Sequence, residues 1–235
     1  MTGTVYLVPN LLGAVAPEDV LPARTIAIAR SLEHWIVETP KPARAFLKSL
    51  VPARPVAELG IETIGEDPDR ARIERLLAPA RGGFPVGLLS DAGCPGIADP
   101  GAALVAGAHA AGLCVVPLVG PSSLLLALMA SGMNGQRFAF HGYLPAKSEA
   151  RAIAVRALEA RSRAERAAQL FIETPYRNVA MLETLAATLA PATRLCVAAD
   201  LTLPTESVTT RPAAQWRGRD VTVYAKRPAI FIVEA

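Results

Sequence analysis

The sequence predicts an α/β protein whose first half rests on a largely parallel sheet. Short β-rich runs alternate with helical stretches along the chain, the pattern of strands joined by crossover helices. Several of those strands end in Gly/Pro turns that open directly into a helix. At 235 residues, 51% hydrophobic and 19% charged, the chain has enough apolar matter for one large domain or two small ones.

The elements follow in order. TVYLVP, Thr4 to Pro9, is a strand closed by a Pro/Asn/Gly loop. A helix is expected from about Pro22 to Leu32, then a short strand HWIVE and a helix PARAFLKSL. In EDPDRARIERLL, Asp67 is expected as N-cap with Pro68 at the first helical position. PVGLLS is the next strand, and SDAGCPGIADPG follows it. In DPGAALVAGAHAAG, Asp99 is expected to cap, Pro100 to take the first helical position and Gly112 to end the helix. LCVVPLV is a strand, and GPSSLLLALMASG is a loop opening a very apolar helix. RFAFHGYL, a charged helix from 148 to about 166, AAQLFIET, a helix started by Thr174 and Pro175, RLCVAADLT and AIFIVEA complete the chain.

Several function classes are disfavoured. A formal net charge of +3 is too mild to imply nucleic acid by itself. The apolar run LLLALMA falls far short of the roughly 20 residues a membrane span needs. The N-terminus shows no signal-peptide pattern, and Cys94, Cys114 and Cys196 are odd in number and widely spaced. These features predict reduced thiols, a cytoplasmic location and no membrane association. With no clustered Cys/His set, no metal site is expected, and G-x-S-x-G, P-loop and H-E-x-x-H patterns are missing.

The stretch SDAGCPGIADPG holds three glycines, two prolines and two aspartates in twelve residues. It lies at the carboxyl end of a strand, where ligands bind in parallel sheets. Glycines there let backbone approach a ligand, and prolines lower the entropy lost in holding the shape. A tight strand-to-helix turn is the plainer reading. VVPLVGPSSLLLAL repeats the arrangement about thirty residues on, with Ser122 and Ser123 placed to cap a helix, and two such loops at adjacent strand ends favour a pocket more than either does alone.

These two loops resemble the tetrapyrrole methylase superfamily, which uses S-adenosylmethionine, and within it the ribosomal RNA small-subunit methyltransferase I branch. The first loop matches every fixed position of S-D-A-G-x-P-x-I-x-D-P-G, and Val119-Gly120-Pro121-Ser122-Ser123 is similar to P-G-P-S-A. FHGYLP and FIETPYR are similar to F-x-G-F-L-P and Y-E-S-P-H-R. The chain departs from the branch at VPNLLG (for T-P-I-G-N), at VETPKPAR, which keeps Glu38 of E-D-T-R, and at DLTLPTE, where Leu203 replaces a lysine.

The resemblance implies a two-domain tetrapyrrole-methylase-like fold, residues 1–119 and 120–235, with the cofactor cleft between the domains, and a homodimer. It implies S-adenosylmethionine held by Pro9, Ser90, Asp91, Ala92, Gly93, Pro95, Ile97, Ala98, Pro121, Ser122 and Ser123, without a G-x-G-x-x-G fingerprint. The implied acceptor is RNA, at a ribose 2′-hydroxyl. A small molecule such as a tetrapyrrole, or binding without catalysis, are the alternatives. An oxygen or nitrogen acceptor calls for a base, and Glu173, His141 and Glu38 are the candidates. Asp91 more readily fixes its own loop. The basic stretch with Lys147, Arg151, Arg156, Arg161, Arg163 and Arg166 is read first as a solvated helix face with paired charges.

Overall fold

The structure, a computed structural model, describes residues 3–235. The chain divides into two compact units, Met1–Ser122 and Ser123–Ala235.

In the first unit, β1 (Thr4–Val8) leads through α1 (Pro17–Val20) and α2 (Ala23–Ser31) to β2 (His34–Val37). Then come α3 (Pro40–Leu50), β3 (Gly60–Thr63), α4 (Arg70–Leu76), α5 (Ala78–Arg81), β4 (Val86–Leu89), α6 (Ala102–Ala110) and β5 (Cys114–Pro117). The five strands lie in the order β3-β2-β4-β1-β5, and every pairing is parallel. Such a sheet is covered on both faces, which is why its central strands read as unbroken apolar runs. Successive residues serve opposite faces. Val8, Trp35, Val37 and Leu89 pack with Ile26, Phe46 and Leu47, while Val5, Ile36 and Leu88 pack with Leu76, Leu77 and Leu104. Gly87 makes room for this: a Cβ there would stand 2.7 Å from the Trp35 ring on the neighbouring strand.

The second unit runs α7 (Ser123–Ser131), β6 (Phe138–Tyr143), α8 (Ser148–Glu165), β7 (Ala168–Ile172), α9 (Asn178–Thr188), β8 (Arg194–Ala199), β9 (Ser207–Pro212) and β10 (Ala229–Glu234). Its sheet has the order β6-β7-β10-β8-β9, parallel between β6 and β7 and antiparallel elsewhere. Phe171 and Phe231 stack at 5.5 Å and 9° in a core completed by Val155, Leu158, Met181, Leu182 and Leu185 from α8 and α9. α7 packs across β8, β9 and β10. Arg151 of α8, grouped by charge with a solvated face, is instead buried, its guanidinium bonded to Thr184 Oγ1 at 3.0 Å and Ala146 O at 3.2 Å.

Three local expectations need correction. Asp69, not Asp67, caps α4: its Oδ1 accepts the Arg72 N–H at 2.7 Å. The helix begins at Arg70, beyond Pro68, so Asp69 is the residue that flanks its first turn. Asp99 does not cap α6 either. Gly101 does, at φ +146°, because it is pressed against Gly96 and Leu88, and the helix starts beyond it. The far end behaves as expected: Gly112 is left-handed, and the Leu113 N–H reaches Ala108 O at 3.0 Å. Thr174 and Pro175 open a 3-10 turn, Pro175–Arg177, before α9 begins. The edge strands β3 and β9 carry too little apolar alternation to announce themselves.

Candidate functional site

The ends of the central strands β4 and β1 bring two loops together, and Asn10 joins them. Its buried side chain follows Val8 and Pro9, also buried, at the end of β1. Asn10 Nδ2 donates to Ser90 O at 2.9 Å and to Asp91 O at 3.0 Å, while its backbone N–H donates to Gly93 O at 2.8 Å. Its Oδ1 accepts the Leu11 N–H at 2.8 Å. One amide side chain thus fixes the backbone of the Ser-Asp-Ala-Gly turn from below. The turn after β5 closes on the same place. Cys94 Sγ lies 3.5 Å from Pro121 O, and Gly120 leaves no space for a Cβ, which would fall 2.2 Å from Pro9 Cγ.

On the other side, the loop after β2 grips the turn through a reciprocal pair. The Asp91 N–H donates to Glu38 Oε2 at 3.1 Å, and the Thr39 N–H donates to Asp91 Oδ1 at 3.1 Å. The turn itself is bent through left-handed residues: Gly93 at φ +66°, Gly96 at +79° and, without a glycine's freedom, Ala98 at +65°. A non-glycine residue there costs about 1 kcal/mol or more and persists only where its surroundings hold it. Pro95 is buried and anchors the bend, whereas Asp91, Ala92, Ile97 and Ala98 face outward. Ile97 is 52% exposed, unusual for a large apolar side chain in a rigid loop. Beside this loop, a cavity of about 540 Å3 is lined by Asn10, Leu12, Val15, Phe46, Asp91 and Ala92, among others.

The site's electrostatics are one-sided. Burial, reinforced by the Glu38 and Asp91 carboxylates, pushes the Asp99 carboxyl from 3.8 up to about 6. The Ser90 hydroxyl lies against that carboxyl and eases the rise. At hydrogen-bond geometry, however, Ser90 Oγ meets no partner, and it is sealed from solvent. No ion pair among the described residues engages Glu38, Asp91 or Asp99. Exposed apolar residues at Ala92, Ile97 and Ala98, beside carboxylates without ion-pair partners among the described residues, suit a small molecule that is partly apolar and carries positive charge.

The structure therefore brings Pro9, Ser90, Asp91, Ala92, Gly93 and Pro121 together, with Glu38 beside them. Ser122 is half-buried at the end of the first unit, and Ser123 is the first residue of α7 in the second. His141 and Glu173 also lie in the second unit, and each is engaged. His141 Nε2 is 2.7 Å from Gln169 Oε1, and the Gln169 amide nitrogen donates to Ala167 O at 2.9 Å. Gln169 therefore offers only its oxygen, and His141 Nε2 carries the proton. Glu173 is buried at the end of β7, where Oε1 accepts from the Thr174 N–H at 2.6 Å and from Arg177 Nη2 at 2.6 Å. Its Oε2 has no partner.

Two residues of the candidate site escape a reading of the sequence alone. Asn10 was signalled only by a polar residue set between Pro9 and the apolar Leu11-Leu12 pair. Asp99 was hidden behind the resemblance of Asp-Pro-Gly to a helix cap. Among the described residues, no group of three or more His, Cys, Asp or Glu is placed to hold a metal ion. Among the described residues, no helix is long and apolar enough to cross a membrane.

No protein-family model matches the chain. Two relatives do. The ribosomal RNA small subunit methyltransferase I of Escherichia coli O157:H7 is 31% identical over 214 residues, covering 91% of this chain and 70% of that protein. Its namesake from Micromonospora olivasterospora is 38% identical over 189 residues, covering 80% of this chain and 56% of that protein. Among solved structures, uroporphyrin-III C-methyltransferase from Thermus thermophilus, complexed with S-adenosyl homocysteine, has the same fold. It aligns at a TM-score of 0.54 and 19% identity, over 99% of this chain and 97% of that one.

Proposed function

The chain belongs to the ribosomal RNA small subunit methyltransferase I family, and from that premise we propose that it transfers a methyl group from S-adenosylmethionine to RNA. The acceptor in this reading is a ribose 2′-hydroxyl of the small ribosomal subunit or a closely related one. The observation that carries it is the Ser90–Gly101 turn at the strand ends, its backbone clamped by Asn10 and its residues Asp91, Ala92, Ile97 and Ala98 facing outward.

The residues present fit that cofactor. The buried Ser90 hydroxyl lacks a partner, and Ile97 and Ala98 offer apolar surface. Bound there, S-adenosylmethionine supplies a methyl group already activated by its sulfonium. The protein's task is then to hold donor and acceptor in line and exclude water. Of the three candidate bases, Glu38 borders the loop. His141 and Glu173 hold Gln169 and Arg177.

We assign the protein to the cytoplasm, where such RNA is made, and to a homodimer. Leu125, 52% exposed, and Met129, 80% exposed, stand one turn apart on α7, and an apolar helix face of this kind is what a dimer buries. Light scattering giving the mass of one chain at micromolar concentration would refute the dimer.

The test of function is transfer of labelled methyl groups to small ribosomal subunits and to fractionated extract, with RNA and small molecules separated. Label is expected in RNA, at a ribose. Label confined to small molecules, or none at all, overturns the proposal. A Gly93→Val protein should keep its far-ultraviolet circular dichroism and lose cofactor binding at least tenfold. Valine resists φ +66°, and its Cβ would crowd Leu12 Cδ2 at 3.3 Å.

A further inference from the structure

Beyond the carboxyl end of β7, the 3-10 turn Pro175–Arg177 holds Tyr176 out in solvent. Tyr176 is 83% exposed, more than any other large apolar side chain among the described residues. One exposed ring is ordinary on a protein surface. The way this one is mounted is not.

Pro175 fixes the backbone before the ring, and the Arg177 N–H closes the turn on Thr174 O at 2.9 Å. Beneath the turn lies Glu173, its side chain fully buried. Its Oε1 accepts from the Thr174 N–H at 2.6 Å, from Arg177 Nε at 2.9 Å and from Arg177 Nη2 at 2.6 Å. From the other side, the Lys226 N–H donates to Pro175 O at 3.0 Å. The buried Asn178 amide donates to Tyr224 O at 3.0 Å and Arg227 O at 2.7 Å, which ties the 224–227 loop to the start of α9. The backbone on both sides of Tyr176 is thus set in advance, and only its two side-chain torsions remain to be ordered by a ligand.

The surrounding charge is positive. Lys226 is exposed, held at φ +61°, and forms no ion pair among the described residues. Arg177 is 37% exposed, and its Nη1 makes no hydrogen bond among the described residues. The neighbouring carboxylates are engaged: Glu173 with Arg177, Asp200 with Arg227, and Asp220 with the Thr222 amide. An apolar protein surface laid on this turn would desolvate Lys226 and Arg177 Nη1 without partners, whereas phosphate oxygens accept from both. A bare aromatic ring beside such cations is the combination that takes a base on its face and phosphates at its flanks.

We propose that Tyr176, Lys226 and Arg177 form an RNA-docking surface on the second unit, where an unpaired base stacks on Tyr176 and the phosphates beside it meet Lys226 and Arg177. The inference rests on the RNA-methylation reading above and adds the form of RNA required. It is single-stranded at this point, because a base inside a duplex has no free face.

The experiment is fluorescence anisotropy of labelled oligo(A), titrated with the full chain at several salt concentrations, beside the same strand annealed to oligo(U). The parent should bind the single strand more tightly than the duplex. Tyr176→Ala should weaken binding about tenfold, the worth of one stacked base, with the salt dependence unchanged. Tyr176→Trp should bind as tightly as the parent. Lys226→Gln should instead flatten the slope of log affinity against log salt by about 0.7, the loss of one phosphate contact on a single strand. Both side chains are exposed, so circular dichroism and Tm should match the parent. Tyr176→Ala within about twofold of the parent overturns the inference, as do equal affinity for duplex and single strand or no binding of oligo(A) at all. A changed mass in light scattering with RNA affinity unaltered also overturns it, and assigns Tyr176 to a contact between copies. Methyl transfer to small ribosomal subunits, run in parallel, separates the failures. Label in RNA with affinity unmoved by Tyr176→Ala overturns this surface alone. No label in RNA overturns the RNA reading, and the inference with it.

Discussion

Asn10 is the residue whose loss should cost the candidate site most for the least change in shape. Alanine at this position removes the donor to Ser90 O and Asp91 O and the acceptor for the Leu11 N–H. The bond to Ser90 O is fully buried, so no water replaces it, while the other two are partly buried. A buried polar group left unpaired costs about 1–3 kcal/mol and a half-solvated one less, so the three together come to about 3 kcal/mol. For a chain of this size, that lowers Tm by roughly 9 °C. Asparagine to aspartate is the sharper probe. It keeps the volume and the acceptor for Leu11, but turns a carboxylate oxygen toward two carbonyl oxygens, and should destabilise more than alanine does. Urea denaturation with thermal melts measures both variants, and hydrogen exchange at the amides of residues 90–101 reports the loop directly. An Asn10→Ala protein within about 0.5 kcal/mol of the parent, with unchanged loop exchange, would refute the clamp.

Two other outcomes follow from the geometry. Gly87→Ala places a Cβ 2.7 Å from the Trp35 ring and 2.9 Å from Leu32 Cδ1, and should cost about 1–3 kcal/mol in chemical denaturation with a blue- or red-shifted Trp35 emission. The Asp99 carboxyl titrates at about 6 in the folded protein against 3.8 for the free group, so between those values the folded state binds more protons than the unfolded one. Stability should therefore decline as pH rises from about 4 to 6 and level off above, and Asp99→Asn should remove that part of the decline in pH-dependent denaturation.

Much of the first unit was legible because parallel strands buried on both faces announce themselves as apolar runs, as VGLL and TVYLV do, and because Gly and Pro mark where those runs stop. The resemblance carried by SDAGCPGIADPG pointed to methyl transfer, and the relatives show the family. Edge strands were the weak point. GIET and SVTTRP each have one partner strand and half-exposed faces, so no hydrophobic period betrays them. Capping was the other. Asp99-Pro100-Gly101 has the composition of a helix start, yet the choice of Gly101 as cap depends on its contact with Leu88 and Gly96, a tertiary fact that local sequence does not carry. The clamp by Asn10 was hidden for the same reason, since its partners lie 80 and 81 residues away.

The position of β1 inside its sheet also sets the order in which the protein can be made. β1 pairs with β4 on one side and β5 on the other, its Val8 beside Leu89 and its Leu7 beside Pro117. During synthesis β1 thus waits for residues 86–89 before it has any partner in this sheet, and for residues 114–117 before its second edge is covered. At ordinary rates of translation of 5–20 residues per second, the first wait lasts about 4–16 s. During that time TVYLV is an apolar strand with both edges open, the state in which chains associate with the wrong neighbour. Synthesis that stalls before β4 should leave an aggregation-prone fragment, and a pause placed after β5 should let the unit close before the second one begins to emerge.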